Sequence, residues 1–162
     1  MENDDRMVCN RFMEAANNCY YRNVPTSTDF LDIYKQNLFN TVIRELPPVQ
    51  YRFEGGYELA ERKVIMFLPQ DSEISDLTFL TLKVTPRNLH FTEKLNHRDY
   101  LGSIMGLGIK RDKVGDILLY DNCAYIFCMK SIAEYLTDNL LKIRNTYVTV
   151  TEISNEEFNY EP

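Results

Sequence analysis

With 162 residues, 44% of them hydrophobic and 26% charged, the chain can bury a core, as one domain or as two small ones. No stretch approaches the roughly 18 uncharged apolar residues of a membrane span, and the start Met1–Asp5 is acidic where a secretory signal is basic, so a cytoplasmic protein with no membrane partner is expected. The formal charge of −6 argues against unspecific coating of nucleic acid, which needs a positive surface.

In chain order, Val8, Phe12, Ala15, Ala16 and Cys19 recur at helical spacing, and Phe30, Leu31, Tyr34, Leu38, Val42 and Ile43 do so again. Pro25 and the Thr26-Ser-Thr-Asp29 cluster supply a turn and candidate N-caps between them, and Pro47 and Pro48 stop the second run, which predicts a helical hairpin. Val49–Phe53 and Val64–Leu68 read as short strands on either side of an irregular connection. That connection holds Gly55, Gly56, Tyr57, Arg62 and Lys63, and it is either a binding loop or a tight turn in which the glycines supply positive φ. Pro69–Asp76 is polar and turn-rich, so a small N-terminal domain is placed at 1–72 and a second domain at 73–154.

In the second domain Leu80, Leu82 and Val84 alternate along a strand, and Leu101, Ile104 and Met105 mark a helix with Asn96 as cap and Gly108 just past its end. A hairpin follows, Ile117–Tyr120 and Ala124–Cys128 about the turn Asp121-Asn122. Ser131 and Glu134 have capping-box spacing, Ile132, Leu136, Leu140 and Ile143 form a buried stripe, and Asn145 ends the helix before a strand from Tyr147 to Glu152. The order β-α-β-β-α-β predicts an α+β chain whose second part is a ferredoxin-like plait, RRM-like in architecture, with helices on one face of an antiparallel sheet. Alternation puts Leu80, Leu82, Ala124, Ile126, Cys128, Val148 and Val150 under the helices. Phe79, Thr81, Lys83, Tyr125, Phe127, Tyr147 and Thr149 go to the other face. There Tyr125 and Phe127 could stack unpaired bases beside Lys83, or form the surface on which the N-terminal helices dock.

Charge is unevenly spread. Lys83–Gly115 holds seven Lys and Arg against Glu93, Asp99 and Asp112, a basic zone within an acidic protein. Arg98 and His97 fall in the first turn of a helix, where backbone N–H groups favour anions and a guanidinium adds a bidentate phosphate contact; His97 could equally be a cap-side residue. Lys110, Arg111 and Lys113 crowd one turn beside a single acid, as a phosphate contact or as an ordinary solvated run. Gly102 and Gly106 are one turn apart, which reads as close packing of helix on sheet. Cys9, Cys19, Cys123 and Cys128 lack the Cys-x-x-Cys spacing of a zinc site and read as buried reduced thiols; no metal or cofactor is expected.

Two stretches, Gly55-Gly-Tyr-Glu58 with Glu61-Arg-Lys63, and His97-Arg-Asp-Tyr-Leu-Gly102 with Gly106-Leu-Gly-Ile-Lys-Arg111 and Gly115-Asp116, together resemble the bacterial YlmH family. The resemblance is strong from about residue 50 to 130 and weaker at the helical N-terminus. It implies an N-terminal domain, a central plait-like RNA-binding domain and a C-terminal S-four-type RNA-binding domain, towards which the acidic tail 155–162 would lead as a linker. It also implies a ribosome-associated role on stalled large subunits in translation quality control, and a link to cell division. Arg98, Lys110, Arg111 and Lys113 would then touch ribosomal RNA or tRNA, with Gly55–Lys63 nearby.

Three functions follow from this reading. A non-enzymatic RNA-binding module predicts steep salt dependence. A protein-interaction scaffold with a cell-division partner predicts binding insensitive to RNA. An enzyme would have to use His97 with Asp99, Asp116 or Cys128, and none of these pairs has a nucleophile or metal spacing.

Overall fold

The first helix, α1 (Asn3–Arg22), buries Cys9, Phe12, Ala16 and Cys19, the three- and four-residue spacing that gives a helix one apolar face. The computed structural model describes residues 3–22, 26–57, 62–68, 79–88, 94–120, 122–154 and 157–158. Contacts divide the chain into two compact units, Met1–Ile74 with Asn155–Pro162, and Ser75–Ser154. The architecture is α+β.

In the first unit a strand stands where the sequence predicts the entry to a helix: β1 (Thr26–Leu31) precedes α2 (Ile33–Val42). Asp32 is the N-cap, its carboxylate accepting from the Lys35 N–H at 2.9 Å, which displaces the Thr26–Asp29 cluster from that role. The expected helical hairpin is therefore a helix, a strand and a helix, continued by β2 (Gln50–Tyr57) and β3 (Arg62–Leu68). The strands form an antiparallel sheet in the order β1-β3-β2. The central strand β3, paired on both edges, is buried at Val64, Ile65, Met66 and Phe67. Phe39 of α2, fully buried, sits edge-on to Phe12 and Tyr51 at centroid distances of 5.4 and 5.0 Å, and to Phe53 and Phe67 at 6.1 Å. Such edge-to-face pairs add about 0.5–1.5 kcal/mol each beyond burial. Within the tail expected to be a linker, 155–162, Phe158 is buried, and most of the tail lies outside the described residues.

The second unit holds β4 (Phe79–Pro86), α3 (His97–Gly106), β5 (Val114–Tyr120), β6 (Cys123–Met129), α4 (Lys130–Asn139), β7 (Lys142–Ile143) and β8 (Thr146–Ile153). Its sheet runs β5-β6-β4-β8-β7, every neighbouring pair antiparallel. Pro86 is tolerated because the β4–β6 pairing stops at Val84↔Ala124, so the missing N–H faces no partner strand on that side. Leu82, Val84, Ala124, Ile126, Cys128, Val148 and Val150 form one core with Tyr100 and Ile104 of α3 and Ala133 and Leu136 of α4, and Leu80 packs against it. These are the strand residues that alternation places under the helices.

The second helix of this unit is shorter than its apolar stripe. α4 begins after Met129 with no side-chain cap, leaving Ser131 inside the helix, and ends at Asn139. Leu140 still reaches the core as the C-cap residue of α4, and Ile143 does so from the β7 hairpin, whose turn puts Arg144 at φ 53°. Gly102 and Gly106 are exposed, and a Cβ built on either meets nothing within 4 Å, so close helix-on-sheet packing does not account for them.

Candidate nucleic-acid interface

The start of α3 is fixed by a reciprocal capping box. The Asn96 side chain accepts from the Asp99 N–H at 3.1 Å, and the Asp99 carboxylate accepts from the Asn96 N–H at 2.8 Å. With two of the helix's orphan donors satisfied and Tyr100 anchored in the core, His97 and Arg98 project outward, both exposed. Asp99 also pairs with Arg144 at 3.6 Å, while no ion pair engages Arg98 among the described residues.

At the other end Gly108, at φ +82°, takes the left-handed position that closes the helix. The connection is held from two sides: Leu107 and Ile109 pack on the core, and the Tyr135 hydroxyl of α4 donates to the Leu107 carbonyl at 3.1 Å. Lys110 leaves this anchored segment exposed, and Arg111–Lys113 form a single 3-10 turn. The Arg111 guanidinium donates to the Val114 carbonyl within that turn, so part of its hydrogen-bonding capacity is used internally. Lys110 and Lys113 have no ion pair among the described residues.

Arg98, Gly102 and Gly106 lie one turn apart on one face of α3, all exposed. The ten-residue helix spans about 15 Å at 1.5 Å per residue. Arg98 and the Lys110–Lys113 turn therefore stand at opposite ends of a low, side-chain-free stripe, not in one cluster.

A second set of residues lies on the sheet face away from the helices. Lys83 is opposite Thr151 and Thr85 opposite Thr149, on the side opposite to Leu82 and Val84. Tyr147, opposite Lys142 of β7, is 55% exposed, and the Lys142 Nζ lies 4.4 Å from the ring centroid. Arg87 donates from its backbone N–H to the Tyr147 carbonyl at 2.9 Å and from Nε to Thr149 Oγ1 at 3.1 Å.

Residues 78–157 match the family described as "Putative RNA-binding domain in YlmH". This segment carries the chain's similarity to the YlmH family. It is 28% identical over 135 residues to the ribosome-associated protein quality control protein P2 of Bacillus subtilis (strain 168), covering 82% of this chain and 51% of that protein. The chain thus spans about half the length of the curated relative it matches. A solved structure named cell division protein ylmH from Streptococcus pneumoniae is 23% identical, with 94% of this chain and 93% of that one covered at a TM-score of 0.40.

The family resemblance read from the two glycine-rich stretches is thus borne out, and the structure sorts the residues it singled out. His97, Arg98, Lys110 and Arg111 are exposed, Lys113 and Lys83 are half-buried, and Lys63 is exposed on the first unit. The backbones of Tyr57 and Arg62 pair across β2 and β3, while their side chains lie outside the described residues. Tyr125 and Phe127 are corrected: both are buried, at 4% and 0% exposure, so neither offers a ring to an incoming base. Strand alternation predicts which face a residue takes, and only the fold determines whether that face is covered. The sequence reading also passed over Arg87 and Lys142. The alternation of Lys142, Ile143, Thr146 and Tyr147 about Arg144-Asn145 was the available hairpin signal, masked by the helical spacing of Leu136, Leu140 and Ile143.

Proposed function

We propose that this chain is a non-enzymatic, cytoplasmic RNA-binding protein that works at the ribosome, contacting the phosphate backbone of ribosomal RNA or tRNA on the large subunit. The observation that carries the reading is the match of residues 78–157 to the RNA-binding-domain family. The geometry supports it, because an acidic chain presents exposed Arg98 and Lys110 and the half-buried Lys113 on a rigidly anchored helix and turn. Phosphate contacts of this kind set register and supply affinity without reading sequence.

The second unit is best read as a variant ferredoxin-like plait. The succession β4-α3-β5-β6-α4-β8 with spatial order β5-β6-β4-β8 supports this, β7 being a short added strand beside β8. The B. subtilis relative's name supports a role in ribosome-associated quality control, proposed here for a chain that covers half of that protein.

Cosedimentation with purified large ribosomal subunits at low and moderate salt tests the reading. The wild-type chain is expected in the pellet at low salt and depleted at moderate salt, and a Lys110→Glu/Lys113→Glu variant is expected to stay in the supernatant. Arg111 is left intact because its guanidinium closes the turn. Failure of the wild-type chain to pellet at low salt overturns the proposal.

A further inference from the structure

The outer face of the second sheet is closed at β6, where Tyr125 and Phe127 are buried, and accessible along β8, where Tyr147, Thr149 and Thr151 are exposed. On β4, β7 and β8 this outer face carries Lys83, Lys142 and, just past β4, Arg87, while the acid of β8, Glu152, pairs with Leu82 and so belongs to the helix side. In a chain of net charge −6, two cations beside one exposed ring, Lys142 and Arg87, with Lys83 further along the same face opposite Thr151 and no carboxylate on this face among the described residues of β4, β7 and β8, are a local inversion of sign. Burial of the neighbouring rings makes Tyr147 the exposed aromatic of this face among the described residues of β4, β6, β7 and β8.

We infer that Tyr147 is a stacking platform for an unpaired RNA base, with Lys142 and Arg87 beside it to take the flanking phosphates. An aromatic ring beside cations suits a nucleotide, since the ring accepts any base by its π-face and the cations meet the backbone. The Lys142 Nζ lies over one face of the ring, 4.4 Å from its centroid, so a stacking base displaces the ammonium or takes the opposite face, and in both cases the charge stays within reach of the nucleotide's phosphate. Arg87 is pinned to β8 by its two hydrogen bonds and brings a guanidinium to the strand that carries the ring. This inference rests on the RNA-binding reading above and adds to it a preference for single strands and a site distinct from the ends of α3.

Fluorescence anisotropy with the full chain tests it, using labelled oligoadenylate and a labelled RNA duplex of the same length. Tyr147→Ala is expected to weaken oligoadenylate binding by about tenfold while changing duplex binding by less than about twofold. Tyr147→Phe, which keeps the ring, is expected to bind like the wild type; thermal melts verify that both variants fold. Arg98→Ala/Lys110→Ala is expected to weaken both RNAs alike. Unchanged oligoadenylate binding by Tyr147→Ala, with the Arg98/Lys110 variant impaired, overturns the platform and leaves the phosphate reading intact. If the wild-type chain binds neither RNA, the RNA-binding reading fails and the platform with it.

Discussion

Burial decides the chemistry of single residues here. Cys19 and Cys128 are fully buried, and burial pushes both thiols up to about 12, so thiolate at pH 8 is on the order of one part in ten thousand. Cys123 is half-buried at the start of β6. Brief alkylation of the native chain at pH 8, read by peptide mass mapping, is therefore expected to label Cys123 first and to leave Cys19 and Cys128 unmodified until denaturant is added. Rapid labelling of Cys128 in the native chain would contradict the packed β6 interior. The same burial separates what was legible from what was not at this scale. The helix-side strand residues could be named from alternation alone, because a period of two follows from strand geometry. The fate of Tyr125 and Phe127 could not, because covering a sheet face depends on residues remote in sequence.

At the level of elements, local signals were reliable where short-range hydrogen bonds write the structure. The Asn96–Asp99 box and the positive φ of Gly108 bracket α3 where the residue types indicate. Asn96→Ala is expected to cost about 1 kcal/mol in urea unfolding, within the ~0.5–2 kcal/mol range of N-cap losses. It should also loosen RNA binding slightly, since Arg98 sits in the turn that the box orders. No loss of stability would mean that α3 is held by its core contacts alone. Where the signal was a shared apolar period, it misled. Leu136, Leu140 and Ile143 all point into one core, but Leu140 does so as the helix's C-cap and Ile143 from a hairpin, because a helix and the strand after it can bury the same side. Thr26–Leu31 similarly lost its strand to a helical pattern that begins only beyond Asp32.

For the whole molecule, a formal charge of −6 and a role in binding RNA are compatible only if the cations are held apart from the acids. The fold provides that separation twice in its second unit, at the two ends of α3 and on the β4–β8 surface. The basic zone was visible in the sequence as a run from Lys83 to Gly115, yet its division between two surfaces was not, since only the strand pairing brings Arg87 alongside Tyr147 and Lys142 and puts Lys83 on the same face opposite Thr151. The most direct test of RNA binding through these cations is the salt dependence of affinity for one labelled RNA. The logarithm of the association constant should fall with the logarithm of salt concentration by about 0.7–0.9 per phosphate neutralised, and an Arg98→Ala/Lys110→Ala variant should lower that slope by about two. A slope near zero for the wild-type chain, or one unchanged in the variant, would contradict the account.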